Sequence, residues 1–406
     1  MTTNAATSQQ APLSAAIATM MTIEQELNAM FLERTDAIRE LLTSLLARQH
    51  CVLIGDPGTG KSALVEELCK RVCDVQGQGL RLFTYLMTKF TQTEELFGPV
   101  SFNGMKAETY HRVIARRLPE AEVAYLDELW KSSSAVLNAI LKIVNERKFV
   151  NGVDEIDVPL MSLLSASNEL PEGEDLVAIR DRILLTHFVS HLSRANRELL
   201  MLRKARLEPD PWENPKTVIS RDDFLALQLY VRSLPFARAV IVAKAQIVDD
   251  LAKEGITISE RRDGWCQHLM QAHALLEGRD IVTEDDLPIL YDAFWMEPSQ
   301  RATVTRIINQ HSNPINARAS ELKDEADTVY NQAIAGLEQF KNDRTKRTML
   351  AAEAAGKLQK VLEELQQLQA QAAKQSRATK RLEQAITAAQ GQHKELLTAV
   401  GFKMGL

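Results

Sequence analysis

The most constraining stretch of this chain is Gly55-Asp56-Pro57-Gly58-Thr59-Gly60-Lys61-Ser62. An apolar run, Cys51-Val52-Leu53-Ile54, precedes it, and a helical pattern from Ala63 to Val72 follows. Strand, glycine-rich turn and helix start, in that order, make a phosphate-binding loop of the form G-x-x-x-x-G-K-[ST]. The glycines let consecutive backbone N–H groups turn towards phosphate oxygens, and the helix N-terminus adds the positive end of its dipole. Asp56, Pro57, Gly58, Thr59, Gly60, Lys61, Ser62 and Ala63 are therefore the candidate nucleotide-binding set. Lys61 is expected to reach the β- and γ-phosphates and the Ser62 hydroxyl to ligate Mg²⁺.

A phosphate loop demands a carboxylate at the end of a neighbouring strand. Glu122-Val123-Ala124-Tyr125-Leu126-Asp127-Glu128 is an apolar strand ending in two of them, a Walker B pattern. Asp127 suits the Mg²⁺ shell and Glu128 the polarisation of an attacking water. A further buried strand, Leu160 to Ser165, runs into Ala166-Ser167-Asn168. Asn168 is either a second water-orienting group at a strand tip or a plain turn asparagine.

The bulk properties exclude several classes. The 406 residues suffice for roughly two or three domains, and 25% charged residues with a net charge of −6 do not suggest a nucleic-acid binder. Cys51, Cys69, Cys73 and Cys266 lack a second Cys/His pair at ligand spacing, so they read as reduced thiols of a cytoplasmic protein. No apolar run approaches the ~18 residues of a membrane span. The first twenty residues are rich in Thr, Ala and Gln and have no basic n-region, which predicts a disordered leader rather than a signal peptide.

The expected organisation is a leader over 1–20, an α/β nucleotide-binding core over 21–208, a linker over 209–216, a helical lid over 217–300 and a helical or coiled-coil segment over 301–406. Residues 22–48 carry one helical stripe, interrupted by Leu32-Glu33-Arg34-Thr35-Asp36-Ala37. That interruption either borders a nucleotide base or is a simple helix–helix turn. Helices are expected over 61–74, 92–97, 132–147, 173–180 and 193–205, with a strand over 80–87 and another over 183–189. Asn103-Gly104 signals a hairpin within 100–113, and Asn151-Gly152 signals another. Pro209, Pro211 and Pro215 mark the linker. Ser220-x-x-Asp223 and Thr283-x-x-Asp286 resemble capping boxes in the lid. From Arg318 onward there is no proline, and Leu, Ala and Ile recur at steps of three and four, as in a coiled coil. The run Lys341 to Arg347 is either a hairpin turn or a continuation. The mixed charge of this segment favours a protein partner or a packing surface.

The two Walker elements and the polar strand tip do not stand alone. Tyr85-Leu86-Met87-Thr88-Lys89-Phe90, Glu94-Glu95-Leu96-Phe97-Gly98-Pro99, Leu129-Trp130-Lys131, Leu137-Asn138, Val144-Asn145-Glu146-Arg147 and Asn168-Glu169-Leu170-Pro171 accompany them. Jointly they resemble the AAA+ ATPases, at the spacing of the MoxR family and within it the RavA branch, over about residues 22 to 300. The resemblance implies an α/β AAA+ P-loop NTPase core, with a parallel sheet between helices, an all-α lid and a C-terminal helical segment. It also implies ATP hydrolysis with Mg²⁺ in a homo-hexameric ring, a partner carrying a von Willebrand factor A domain, and a client protein that the sequence does not name. Asn168 matches sensor 1. Arg182 looks like the arginine finger that serves the neighbouring subunit, with Arg180 as the alternative. Arg261 matches sensor 2, directed at its own subunit's nucleotide, with Arg262 as the alternative; for both Arg182 and Arg261 a surface salt bridge is the remaining reading. The implied catalytic set is Glu128, Arg182, Asn168 and Lys61, and the implied metal ligands are Ser62 and Asp127. Residues 98–113 and 148–159 correspond to insertions that face a central pore or substrate. One departure stands out: the RavA branch carries a β-rich insertion after the lid, and residues 318–406 show no β-pattern, so the partners of that insertion are not carried over. Two activities follow, an ATP-driven remodelling motor or a nucleotide-controlled assembly switch. A DNA-remodelling helicase finds no basic segment to support it.

Overall fold

The computed structural model describes residues 4–170, 177–312, 314–340, 344–374 and 380–399. The chain forms two compact units, Met1–Ile241 with Val248–Val304, and Val242–Ile247 with Thr305–Leu406. In chain order the elements up to the linker are α1 (Asn4–Met30), α2 (Thr35–Ala47), β1 (Cys51–Ile54), α3 (Lys61–Cys69), β2 (Val72–Cys73), β3 (Leu82–Leu86), α4 (Thr93–Phe97), α5 (Phe102–Lys106), β4 (Val123–Asp127), α6 (Ser134–Glu146), β5 (Lys148–Asn151), β6 (Asp154–Asp157), β7 (Ser162–Ser167), α7 (Val177–Arg180), β8 (Leu185–Phe188) and α8 (Arg194–Lys204). β9 (Ile219–Ser220), α9 (Arg221–Val231), α10 (Arg238–Lys253), α11 (Glu260–Leu276) and a 3-10 stretch, Glu284–Leu290, follow, then α12 (Arg301–His311), α13 (Pro314–Gln339), α14 (Arg344–Lys374) and α15 (Lys380–Ala399).

β3, β4, β7, β1 and β8 lie side by side in that order in one sheet, and every pairing is parallel. Parallel strands are covered on both faces, which is why β1 reads Cys-Val-Leu-Ile and is buried throughout. Val52, Leu126 and Leu163 of the strands pack with Leu137, Ile140 and Val144 of α6. The Ser133 hydroxyl starts α6 by accepting from Val136 N, and Arg147, at φ 58°, ends it. Because the strands run the same way, the ends of β1, β4 and β7 open onto one edge. Ile54 pairs with Ser167, and Leu126 with Ser165. That edge places the candidate site.

Several expectations change here. The leader read over 1–20 carries helix from Asn4, and α1 continues to Met30 with Met20, Ile23 and Leu27 buried. The stripe over 22–48 breaks at 31–34 into α1 and α2. The helix expected over 61–74 stops at Cys69, because the chain turns to pair Val72-Cys73 with β9. Asn103-Gly104 is not a hairpin turn. Ser101 Oγ accepts from Gly104 N at 3.1 Å and caps α5 instead, while Val100 bridges Arg112 across it. The second hairpin is present, with β5 and β6 antiparallel across Gly152-Val153. It docks on the first insertion, where Arg112 N donates to Asn151 Oδ1 at 2.6 Å and Asn151 Nδ2 donates to Arg112 O at 3.1 Å. The first part of the helix expected over 173–180 lies outside the described residues. Both lid caps form: Ser220 Oγ accepts from Asp223 N, and Thr283 and Asp286 make a capping box.

In the second unit α13, α14 and α15 pack on one another around Leu322, Leu358, Leu365, Leu382 and Leu396. Arg318 meets Glu364 at 2.8 Å and Gly336 lies against Leu350, so α14 runs antiparallel to α13. Gln392 meets Asp327 and Tyr330 meets Glu395, so α15 runs parallel to α13. The stretch expected as a coiled coil is thus a bundle of three helices. Residues 341–343, within the expected break, lie outside the described residues. Among the described residues no helix is long and apolar enough to cross a membrane.

Candidate active site

The glycine-rich loop leaves β1 at Gly55, where a Cβ would come within 2.3 Å of Val189 O. Only glycine fits this approach. Gly60, at φ 84°, delivers the chain into α3. Lys61 Nζ donates to Gly55 O at 2.6 Å, to Asp56 O at 2.9 Å and to Thr59 Oγ1 at 3.3 Å. Burial holds this ammonium below the usual lysine range, while the nearby carboxylates of Asp127, Glu128 and Asp56 pull it back up. The Tyr125 hydroxyl, whose titration burial pushes upward, hydrogen-bonds with Ser62 and so ties β4 to the start of α3.

Asp127 closes β4, and its Oδ1 accepts from Glu128 N at 3.0 Å. Glu128 sits at φ 53°, in the left-handed region that costs an L-residue roughly 1–2 kcal/mol. The turn aims its carboxylate across the sheet edge to β7. There Asn168 Nδ2 donates to Glu128 Oε1 at 2.5 Å and Asn168 N to Oε2 at 3.4 Å. Lys131 Nζ lies 3.3 Å from the same Oε2. The structure therefore brings Lys61, Ser62, Asp127, Glu128 and Asn168 to one edge of the sheet.

A cavity of about 330 Å³ opens beside the loop, lined by Phe31, Arg34, Thr59, His191, Arg197 and Trp212 among others. Arg34 Nε donates to Thr59 O at 3.3 Å, His191 Nε2 lies 2.9 Å from Asp56 Oδ2, and Phe31 meets Trp212 edge-on at 5.1 Å. Within the interruption over 32–37, Arg34 thus reaches the loop, while the same stretch makes the turn between α1 and α2. His191 and Trp212 are not among the expected site residues, and Lys131 figures only within a family motif. The one available signal was an aromatic residue inside the proline-rich linker.

The arginines lie elsewhere. Arg182 stands three residues before β8, whose first residue pairs with Cys51 at the start of β1. This is the sheet edge opposite the loop. Arg261 Nη1 is 3.8 Å from Asp181 Oδ2, half its side chain is exposed, and its charge lowers the titration of Arg182 after burial has done so. The structure therefore pairs Arg261 with Asp181, places it near the like charge of Arg182 and does not bring it to its own chain's phosphate loop. Its neighbour Arg262 is fully buried. Arg262 donates to the carbonyls of Arg180, Asp181, Ile183, Leu184 and Ala293, locking α11 to the approach of β8. Arg180 is also buried, stacked 5.0 Å over the Trp295 ring.

Comparison with known proteins fits this geometry. Residues 18–228, over half the chain, match the model of a MoxR domain in the MoxR-vWA-beta-propeller ternary systems. Residues 238–308 match an AAA lid domain. Uncharacterized protein MJ0812 of Methanocaldococcus jannaschii is 36% identical over 333 residues, covering 80% of this chain and 83% of that protein. Uncharacterized protein MJ0079 of the same organism is 36% identical over 311 residues, covering 76% and 78%. The crystal structure of a candidate ATPase from Cytophaga hutchinsonii superposes with a TM-score of 0.60 at 19% identity, covering 75% of this chain and 96% of that one, and shares the fold. Phosphate loop, strand-tip carboxylates, helical lid and these matches together place the chain in the MoxR family of AAA+ ATPases.

Proposed function

We propose that this protein hydrolyses ATP at subunit interfaces of a homo-hexameric ring and uses the cycle to remodel or mature a client protein. The observation that carries the reading is the convergence of Lys61, Asp127, Glu128 and Asn168 on one sheet edge beside a cavity. The residues fit ATP and Mg²⁺. Gly58 and Gly60 leave open space in front of the loop, Lys61 supplies a cation, and Ser62 with Asp127 supply hard oxygen donors. Ser62 and Asp127 would hold Mg²⁺, which would supply positive charge against the charge developing on the phosphates. Lys61 exchanges its loop carbonyls for phosphate oxygens. Glu128 accepts a hydrogen bond from the attacking water, and Asn168 holds that carboxylate in line. Phe31, Arg34 and Trp212 border the base. Arg182 and Arg261, side by side at the opposite sheet edge, serve the neighbouring subunit's phosphates, a role that suits a fixed, always-charged, multi-donor group.

The motor reading draws support from the docked insertions. Phe102, Met105, Tyr110, Val150 and Val153 are all exposed there, an apolar surface suited to an unfolded or loosely held client. The matching family is described from MoxR-vWA-beta-propeller systems, which supports a von Willebrand factor A partner. The test is turnover by the purified protein. ATP hydrolysis should require Mg²⁺, vanish in Glu128→Gln and rise when the partner is added. Turnover that Glu128→Gln leaves intact contradicts the assignment.

A further inference from the structure

A second cluster of ligand-type side chains has no part in the site described above, although Asp292 adjoins Ala293, whose carbonyl Arg262 holds. Glu40 comes from α2, His187 from β8 and Asp292 from the segment after the 3-10 stretch Glu284–Leu290. His187 Nδ1 lies 3.1 Å from Glu40 Oε1 and 3.0 Å from Asp292 Oδ2, and one donor atom from each residue falls within 4.8 Å of the other two. Three elements distant in sequence thus aim their donor atoms at one point. Asp292 is well fixed. Its carbonyl accepts from Thr186 N at 2.9 Å, and Arg301 Nη2 stands 3.4 Å from Oδ1, leaving Oδ2 to His187. Glu40 is 7% exposed, and its Oε2 is buried without a hydrogen-bond partner.

Two carboxyl groups withdrawn from water side by side require either a shared proton or compensating positive charge. One imidazole N–H, with Arg301 reaching only Oδ1 of Asp292, is a poor answer here. It is shared between two acceptors and leaves Glu40 Oε2 orphaned. A divalent cation answers both needs. Donors at bond lengths of about 2.1 Å are separated by about 3.0 Å at right angles and about 3.4 Å at the tetrahedral angle zinc prefers, so the 3.0 and 3.1 Å from His187 Nδ1 to the two carboxylates lie within a few tenths of an ångström of either. The donors are one imidazole nitrogen, one oxygen of Asp292 and one of Glu40. A mixed N/O set selects a first-row transition cation over Mg²⁺, which prefers oxygen and keeps its waters.

We propose that Glu40, His187 and Asp292 form a binding site for a divalent transition cation, Zn²⁺ being the best match, which ties the lid to α2 and β8. Its role is structural. The ion holds the last segment of the lid against the sheet edge strand while leaving the nucleotide edge untouched.

The experiment uses the full chain, stripped with a chelator and dialysed, with no nucleotide or Mg²⁺ present. Zn²⁺ is titrated by calorimetry and by thermal melting, and Co²⁺ serves as an absorbing substitute. The wild-type chain should take up one tight equivalent, melt at a higher temperature with Zn²⁺, and show a Co²⁺ ligand-field band. His187→Gln and Asp292→Asn should each weaken that equivalent by more than the ~10–100-fold that loss of an outer partner brings. Both variants should lose the Zn²⁺-dependent rise in melting temperature. Weak binding to other His or Cys residues is common to all three proteins and cancels. Equal uptake by wild type and variants overturns the site, as does a wild-type melting temperature indifferent to Zn²⁺. Should the variants not fold, the wild type decides alone. A Co²⁺ band with a Zn²⁺-dependent melting rise supports the site. The lack of either overturns it and leaves an imidazolium shared by two acids.

Discussion

Asn168 Nδ2 donates to Glu128 Oε1 at 2.5 Å, so the polar tip of β7 holds the carboxylate that follows β4. The pair spans adjacent strands, and the left-handed backbone at Glu128 is what turns its side chain towards Asn168. Glu128→Gln keeps the shape but removes the negative charge that polarises water. ATP should still bind by calorimetry, while turnover in a phosphate-release assay should fall by at least about 10²-fold. Asn168→Ala should lower turnover less, with unchanged ATP affinity, because Glu128 keeps its charge but loses its orientation. Equal turnover in Glu128→Gln and wild type would move the role to another group.

Lys61→Ala removes the cation that the loop presents. Nucleotide affinity should drop below detection by calorimetry, since Gly58 and Gly60 supply backbone donors but no charge. Wild-type affinity in this variant would contradict the loop assignment.

Trp212→Ala tests the cavity. Base stacking on an aromatic ring is worth about 1–3 kcal/mol, so ATP affinity should weaken about tenfold. The phosphates are untouched, and inorganic triphosphate should bind both proteins equally. If triphosphate affinity falls as well, Trp212 acts by supporting the loop rather than by meeting the base.

Arg261 and Arg262 are adjacent, yet their truncations should separate. Arg262 satisfies five buried carbonyls, and orphaning them costs about 3 kcal/mol or more. Arg262→Ala should therefore lower the melting temperature by roughly 6–10 °C. Arg261 is half exposed, and Arg261→Ala should change stability by no more than about 0.5 kcal/mol while reducing turnover. A cooperative melt that drops equally in both variants would show that Arg261 is structural too.

What could be read in advance follows from how local each feature is. The phosphate loop and the Asp127-Glu128 tip are written within eight residues each, and their chemistry dictates their geometry. The parallel sheet was implied by the family resemblance, and buried apolar runs such as Cys51 to Ile54 agree with it. The helical character of residues 4–20 was missed because Thr, Ala and Gln carry no strong stripe, although Met20 packs in the core. Asn103-Gly104 misled because Ser101, two residues earlier, caps a helix more strongly than that dipeptide bends a hairpin. The cavity residues Arg34, His191 and Trp212 come from three distant segments, and no local pattern joins them. The placement of Arg261 depends on Asp181, some eighty positions away, and only the packing of α11 reveals it.

The central claim is that one subunit's nucleotide edge works with a neighbour's Arg182. It is tested most directly by mixing Lys61→Ala and Arg182→Ala subunits, after native mass spectrometry has shown that mixed rings form. Each variant alone should be inactive, Arg182→Ala by about 10³–10⁵-fold while still binding ATP. In mixed rings some interfaces join an intact loop to an intact arginine, so part of the ATPase activity should return. If mixed rings form and remain inactive, Arg182 does not act across the interface and the account fails at its centre.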